Sequence, residues 1–463
     1  MAAETFGSSF PYADPLWYSR GVSPYYNESH RQLRKDVRQY VDDHITPHCE
    51  QWEKQGHVPA EVIRKHSDLG YTAVSVFPLD KEYAKGIRLP GDIPLDKWDA
   101  FHDLICIDEI MRCGYLGVVW GLTGGNIYGA PPLVNYGTER QKRQFLPGIL
   151  RGDIRFALAV TEPDAGSDVA NIQTTATRNG DVYVVNGAKK WITNGLWADY
   201  CTTAVRTGGP GANGISVLIV PMKNKGVTCR RMENSGVSAS GSTYIDFDDV
   251  EVPVENLLGA ENQGFPMIMS STYPTGCLSE NEFKSQVRRS QPLKSPGHAI
   301  DFNHERLWLA CASLRLARVC AEDAFQHAII RETFGHKLIE SPVIRWKFST
   351  FGRLLNSAHA HMEELTYLLH TMDKAAAQDA RLGGQLANLK VLAGRVLERV
   401  NREAQQVLGG AGYNKTGRGA RIEQISRDLR PLVVGGGSDE ILSDLAIREE
   451  IKRSGVGLNL SRL

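Results

Sequence analysis

No stretch of the 463-residue chain approaches the roughly 18 uninterrupted apolar residues of a membrane-spanning helix, so a bilayer-crossing segment of that kind is excluded. Excess charge of either sign is missing too. The 53 Lys and Arg side chains balance 53 Asp and Glu, so no sequence-wide field draws the protein to nucleic acid or to an anionic membrane. The eight cysteines (Cys49, Cys106, Cys113, Cys201, Cys229, Cys277, Cys311 and Cys320) include no CxxC pair and no metal-ligand spacing. Neither a disulfide framework nor a metal site is signalled. The opening MAAETFGSSFPYADPLWYSRG lacks a charged start followed by an apolar run, and Glu4 and Asp14 oppose an Arg-rich transit peptide, so export and mitochondrial import are disfavoured.

What is present is 42% hydrophobic and 23% charged residues, the composition of a globular protein long enough for two or three packed units. From Asn27 to about Leu150 the pattern is helical. HRQLRKDVRQYVDDHI spaces Leu33, Val37, Tyr40 and Val41 along one face, and WDAFHDLICIDEIMRC repeats the device. Between them, residues 69–96 are rich in Gly, Pro and Asp and read as a loop. Around Ile154 the texture changes to short β-branched runs such as FALAVTEP, DVYVVNGAKKWIT, YCTTAVRTGG and GISVLIVPM, separated by turn residues, which predict an antiparallel β domain. Helical periodicity returns from His304 to about Leu408, and a final helix follows Ser438 as its N-cap. The expected fold is α+β and multidomain: an N-terminal all-α domain over 27–153, a middle β domain over 154–265, a linker over 266–303, a C-terminal helical bundle over 304–453 and a tail over 454–463.

Four segments carry chemistry. TEPDAGSDVA, Thr161 to Ala170, leaves a strand through a Pro-Gly turn; its glycine admits close backbone approach, and Thr161 and Ser167 add hydroxyls suited to a polar ring edge or a phosphate. By spacing alone it reads more readily as an ordinary hairpin, and it is neither a GxGxxG motif nor a P-loop. KKWITNG, Lys189 to Gly195, offers the flat face of Trp191 and the Thr193 hydroxyl at a strand end, a place where Trp more often packs in a core. RETFGHKLIESPVIRWK, Arg331 to Lys347, reads as a helix that breaks at Gly335 and restarts after Pro342. QVLGGAGYNKTG, Gln406 to Gly417, followed by RDLRPLVVGGGSDEIL, supplies glycine runs.

Together and in this order, the four segments resemble the acyl-CoA dehydrogenase family over residues 27 to 453. The resemblance implies a four-helix C-terminal bundle, FAD lying between it and the β domain across a subunit boundary, and a homotetramer or homodimer. It implies that Thr161 and Ser167 line the flavin and the CoA side, and that Trp191 and Thr193 contact the isoalloxazine ring. Arg331, Thr333 and Phe334 look like the family's contacts to the FAD of a neighbouring subunit; Gln406, Gly409 and Gly410 look like its cover over the adenosine diphosphate. Ser438 resembles the hydroxyl residue after the glycine turn.

The reaction so implied needs a carboxylate base, lifted toward neutral pKa by an apolar pocket, to remove the α-proton of a thioester. Many members place it in a YEGT motif near the C-terminus, where this chain has Gly436. The isovaleryl- and long-chain-type subgroup carries it in an ERL segment, and NHERLWLAC makes Glu305 the candidate base, with Arg306 orienting the substrate site. Read without the resemblance, Glu305 is a solvated first-turn acid facing the helix dipole. Glu440 is a rival one turn too far along.

Two features are unusual for the family. Residues 271–300, rich in Ser, Arg and Pro, separate GFPMIM from the ERL helix, which follow each other almost directly elsewhere. The segment reads either as a loop that buries little or, preferably, as an in-frame intron left in the coding sequence, whose removal would leave MIMSNFNHERLW. The chain ends Ser461-Arg462-Leu463, a basic-for-basic variant of the peroxisomal S-K-L, so a peroxisome is expected, with cytoplasm as the alternative. The function expected is α,β-dehydrogenation of an acyl-CoA, in fatty-acid β-oxidation or in making an acyl precursor of a secondary metabolite such as a toxin, with electrons passed to an electron-transfer partner. An oxygen-using oxidase and an inactive flavin-binding scaffold are the alternatives.

Overall fold

Leu33, Val37, Tyr40 and Val41 do share a buried face, that of α2 (Glu28–His44), which follows a short α1 (Leu16–Arg20). The computed structural model describes residues 6–20, 22–269, 301–372 and 380–455; residues 271–300 and the final Ser461-Arg462-Leu463 lie outside them. The first layer continues with α3 (Cys49–Gln55), α4 (Ala60–Asp68), α5 (Tyr71–Ser75), α6 (Ala100–Met111), α7 (Leu116–Gly129), α8 (Pro131–Tyr136) and α9 (Glu139–Leu150). Helix α5 corrects the loop expected over residues 69–96: Tyr71, Thr72, Ala73 and Val74 are all buried, and their burial outweighs the turn-rich flanks. The starts of α2 and α6 are tied together. Asn27 and Asp99 each form a capping box, with His30 and His102, and His30 Nε2 also donates to Asp99 Oδ1 at 3.0 Å.

Helix α7 had no readable period because it is buried on nearly every side. Its glycines admit the β layer: a Cβ on Gly125 would meet the Phe156 carbonyl oxygen at 2.4 Å, so the helix backbone lies directly against the first strand.

The middle layer is an eight-stranded sheet of β1 (Phe156–Ala159), β2 (Thr175–Asn179), β3 (Val182–Ile192), β4 (Tyr200–Arg206), β5 (Ile215–Pro221), β6 (Val227–Arg231), β7 (Thr243–Pro253) and β8 (Leu257–Leu258). Its path is β6-β7-β3-β2-β4-β5-β8, with β1 added on β4. The sheet is not purely antiparallel as expected. β1 runs parallel to β4, Phe156 opposite Tyr200, because the β2–β3 excursion between them acts as the crossover a parallel pair requires.

After α10 (Gly264–Met269) comes the C-terminal layer: α11 (Asp301–Ile330), the hairpin β9 (Glu332–Thr333) and β10 (His336–Lys337), α12 (Pro342–Thr371), α13 (Leu382–Leu408), α14 (Ala420–Val434) and α15 (Asp439–Ser454). Helix α11 ends at Ile330, earlier than the break expected at Gly335, which instead turns the hairpin at φ +78°. RDLRPLVV, read only as part of a glycine-rich segment, completes α14, and three glycines join α14 to α15. No helix among the described residues is long and apolar enough to cross a membrane.

Candidate active site

The first turns of α11 bring Glu305 to the wall of a cavity otherwise lined mainly by apolar groups such as Phe77, Leu158, Val217 and Ile268. Glu305 makes no hydrogen bond within the described chain, and burial pushes its carboxyl up to about 7, against the opposing charges of Arg306 and Lys390. Burial without hydrogen bonds disfavours the carboxylate, while two cations nearby keep it from being locked in the acid form. The solvated first-turn acid is thereby replaced by a group poised to exchange a proton near neutrality.

Gly436 sits beside it. A Cβ there would lie 3.6 Å from Glu305 Oε1 and 2.9 Å from Leu309 Cδ1, so the two stretches of chain considered for the base meet at one spot. Gly436 has φ +65°, in the left-handed region where a side chain is strained. The turn is held from beneath by two buried cations. Arg306 Nε donates to the Gly436 carbonyl at 3.4 Å, and Lys390 Nζ donates to the carbonyls of Val433 and, at 2.8 Å, Gly437. Arg306 is 0% exposed and is not among the residues that line the cavity; its bond to Gly436 holds the turn. Lys390, at 1% exposed, was missed; the available signal was a lysine on the apolar face of α13 between Leu386, Leu389 and Ala393. Glu440 is an exposed residue in the first turn of α15.

The TEPDAGSDVA and KKWITNG segments meet at the edge of the sheet, where the Lys190 amide donates to the Thr161 carbonyl at 2.9 Å. Beneath them the fully buried Lys189 donates to Glu162 Oε1 at 2.7 Å and to the Val160 carbonyl at 3.0 Å; Glu162 also accepts the amides of Gln173 and Thr174. This pair shapes the loop that presents Thr161 and Ser167, and it too was missed, although both residues stand inside the quoted motifs. The β3–β7 register slips between Lys189 and Ile192, and Trp191 takes φ +67°. The bulge turns Trp191 outward, 54% exposed instead of packed in a core. Next to it Asn194 locks the turn, donating to the Trp120 and Ser240 carbonyls at 3.1 and 2.8 Å and accepting the Gly125 amide at 2.8 Å. Thr161 and Thr193 are half-buried and Ser167 is exposed. Ser438 occupies the N-cap of α15 as expected, but its hydroxyl makes no capping bond.

The remaining expected residues lie elsewhere on the chain. Arg331, Thr333 and Phe334 belong to the β9–β10 hairpin segment, with Phe334 wholly exposed at φ +53°; Gln406, Gly409 and Gly410 are exposed at the end of α13. Among the described residues no hydrogen bond or ring contact joins either group to Thr161, Trp191 or Thr193.

Comparison with known proteins agrees over the length of the chain. The N-terminal, middle and C-terminal domain models of acyl-CoA dehydrogenase match residues 27–153, 157–250 and 299–450. Acyl-CoA dehydrogenase AFT10-1 of Alternaria alternata is 47% identical, over 96% of this chain and 97% of that protein. Acyl-CoA dehydrogenase apdG of Emericella nidulans is 41% identical, over 96% of each. Among solved structures, an acyl-CoA dehydrogenase from Geobacillus kaustophilus superposes with a TM-score of 0.76 at 27% identity, covering 93% of this chain and all of that one. The helical, β and helical layers, the buried acid beside Gly436 and these matches together place the chain in the acyl-CoA dehydrogenase family.

Proposed function

We propose that the protein catalyses α,β-dehydrogenation of an acyl-CoA thioester to the trans-2-enoyl-CoA. The observation that carries this reading is Glu305: a carboxyl without hydrogen bonds, at the wall of an apolar cavity, with a pKa near 7. Its ionised form would take the proton from the α-carbon as the double bond forms, and the low-dielectric walls would exclude water from the proton transfer. Arg306 and Lys390, through the Gly435–Gly437 turn, would hold the carboxyl in place and keep its charged form accessible.

The residues present fit FAD. Trp191 presents a flat, half-exposed face; the Thr161 and Thr193 hydroxyls stand on the same rim, and the Ser438 hydroxyl carries no competing cap. Trp191 and Thr193 would hold the isoalloxazine ring, and Thr161 and Ser167 the flavin and CoA side. When bound, FAD would supply the hydride acceptor for the β-carbon. Arg331, Phe334, Gln406, Gly409 and Gly410, exposed on one chain, and the half-buried Thr333 would meet the cofactor of a second copy, which supports a homodimer or homotetramer. Electrons would then leave to an electron-transfer partner. The tail Ser461-Arg462-Leu463 supports a peroxisomal address, and fatty-acid oxidation or acyl-precursor synthesis as the setting.

Anaerobic titration of the FAD-loaded protein with short-, medium- and long-chain acyl-CoAs tests this. Bleaching of the flavin absorbance by at least one acyl-CoA is expected. Stable FAD binding without bleaching by any of them would overturn the reading.

A further inference from the structure

Next to the Glu305 cavity lies a second one, lined by α4 to α7 and by His304 and Trp308 of α11. The two share His304 and Ile127 in their linings, so His304 stands on the boundary between them. Its ring stacks on Phe77 with centroids 3.7 Å apart and 5° between planes, and it makes no hydrogen bond in the described chain. Burial pushes its pKa down to about 3, so the imidazole is neutral, offering one donor and one acceptor.

Among the described residues, three further polar groups of the lining, each from a different helix, have hydrogen-bonding capacity to spare. Thr123 of α7 is 8% exposed, yet its hydroxyl bonds neither its own helix nor any neighbour. His66 of α4, 2% exposed, spends Nδ1 on the Tyr40 hydroxyl at 3.1 Å, and Nε2 has no partner. Asp103 of α6 accepts the Trp98 indole N–H on Oδ1 at 2.8 Å, and Oδ2 has no partner. Burial raises the Asp103 carboxyl to about 7, with the Trp98 bond opposing and Asp99 adding to the rise, so it can donate as well as accept. Buried polar groups are normally satisfied; His66 and Thr123 are buried and Asp103 and His304 half-buried, and their spare capacity around one cavity calls for a polar occupant. A plain hydrocarbon tail would leave that spare capacity unmet.

We propose that the acyl group accepted here is oxygenated toward its far end, with a hydroxyl or keto group received by His304, Thr123, His66 and Asp103, and that the hydrocarbon of equal length is the poorer substrate. The inference rests on the dehydrogenase reading for its chemistry and on the second cavity for its specificity. A site built to hydrogen-bond a substrate hydroxyl discriminates against the analogue lacking it because its own polar groups are left unpaired.

The test compares decanoyl-CoA with its ω-hydroxy and (ω−1)-hydroxy counterparts on the FAD-loaded protein, by anaerobic flavin bleaching and by calorimetric binding to the Glu305→Gln variant. At least one hydroxyacyl-CoA is expected to bind about tenfold tighter than decanoyl-CoA and to exceed it about tenfold in kcat/KM. Thr123→Val, which keeps the side-chain shape, and His304→Phe, which keeps the stack on Phe77, should each narrow that ratio to within about threefold. Equal or tighter binding of decanoyl-CoA by the Glu305→Gln variant would overturn the proposal and leave the cavity to water. A hydroxyacyl preference in binding with no bleaching by any acyl-CoA would sustain the tail preference while overturning the dehydrogenase reading.

Discussion

Glu305 and Asp428 are both buried carboxyls pushed up to about 7, in both cases chiefly by burial, but their surroundings differ. Asp428 joins the three layers. It accepts the Val237 amide at 2.8 Å, the Leu116 amide at 3.2 Å and the Gln424 side chain at 2.8 Å, and Glu53 beside it accepts the Ser238 and Ala239 amides. Among the described residues Glu305 accepts no hydrogen bond, and it faces a cavity. A raised pKa therefore does not by itself mark a working acid; unsatisfied capacity facing open space does, whereas satisfied capacity facing backbone amides marks a joint.

Exchanging each carboxyl for its amide should separate the two regions most widely. Glu305→Gln is expected to slow flavin reduction by about 10³-fold or more, and Asp428→Asn to leave it within about threefold, as read by anaerobic stopped flow. Denaturant unfolding should reverse the order. Asp428→Asn sets an amide N–H against backbone donors and is expected to cost about 1–3 kcal/mol, while Glu305→Gln costs nothing.

The stability of the unaltered protein should carry a pH signature of Glu305. Its folded pKa lies above the unfolded value, so the folded state holds its proton longer, and stability falls as pH rises from about 4.5 to about 7, by up to about 3 kcal/mol from this group. Glu305→Gln should remove that part of the slope, seen as a variant more stable relative to the parent at pH 8 than at pH 5. Lys390→Met should have the smallest effect. It removes a cation that lowers the Glu305 pKa, so the midpoint of the rate profile should move up by about one unit or less, with KM changed less than kcat.

The order of layers was legible because strand and helix periods are local, whereas Glu305 was singled out only by the resemblance of its ERL segment to the isovaleryl- and long-chain-type subgroup, with Gly436 leaving the other position without a side chain. Helix α7 was not, since all-round burial erases its period. Lys390, the Glu162–Lys189 pair and the Asp428 joint were hidden for another reason. They pair residues far apart in the chain, as Leu116 with Asp428, and nothing in either segment names its partner. The second cavity is the extreme case, since α4, α6, α7 and α11 each contribute one polar group that alone reads as an ordinary core or capping residue.

The most direct test is the pH dependence of flavin reduction by a bleaching acyl-CoA, measured on the unaltered protein and on the Asp428→Asn and Glu305→Gln variants. A single rise with a midpoint near 7, preserved in Asp428→Asn and abolished in Glu305→Gln, is the expected result. The same rise persisting at full rate in Glu305→Gln, or disappearing in Asp428→Asn, would contradict the assignment of the proton transfer to Glu305.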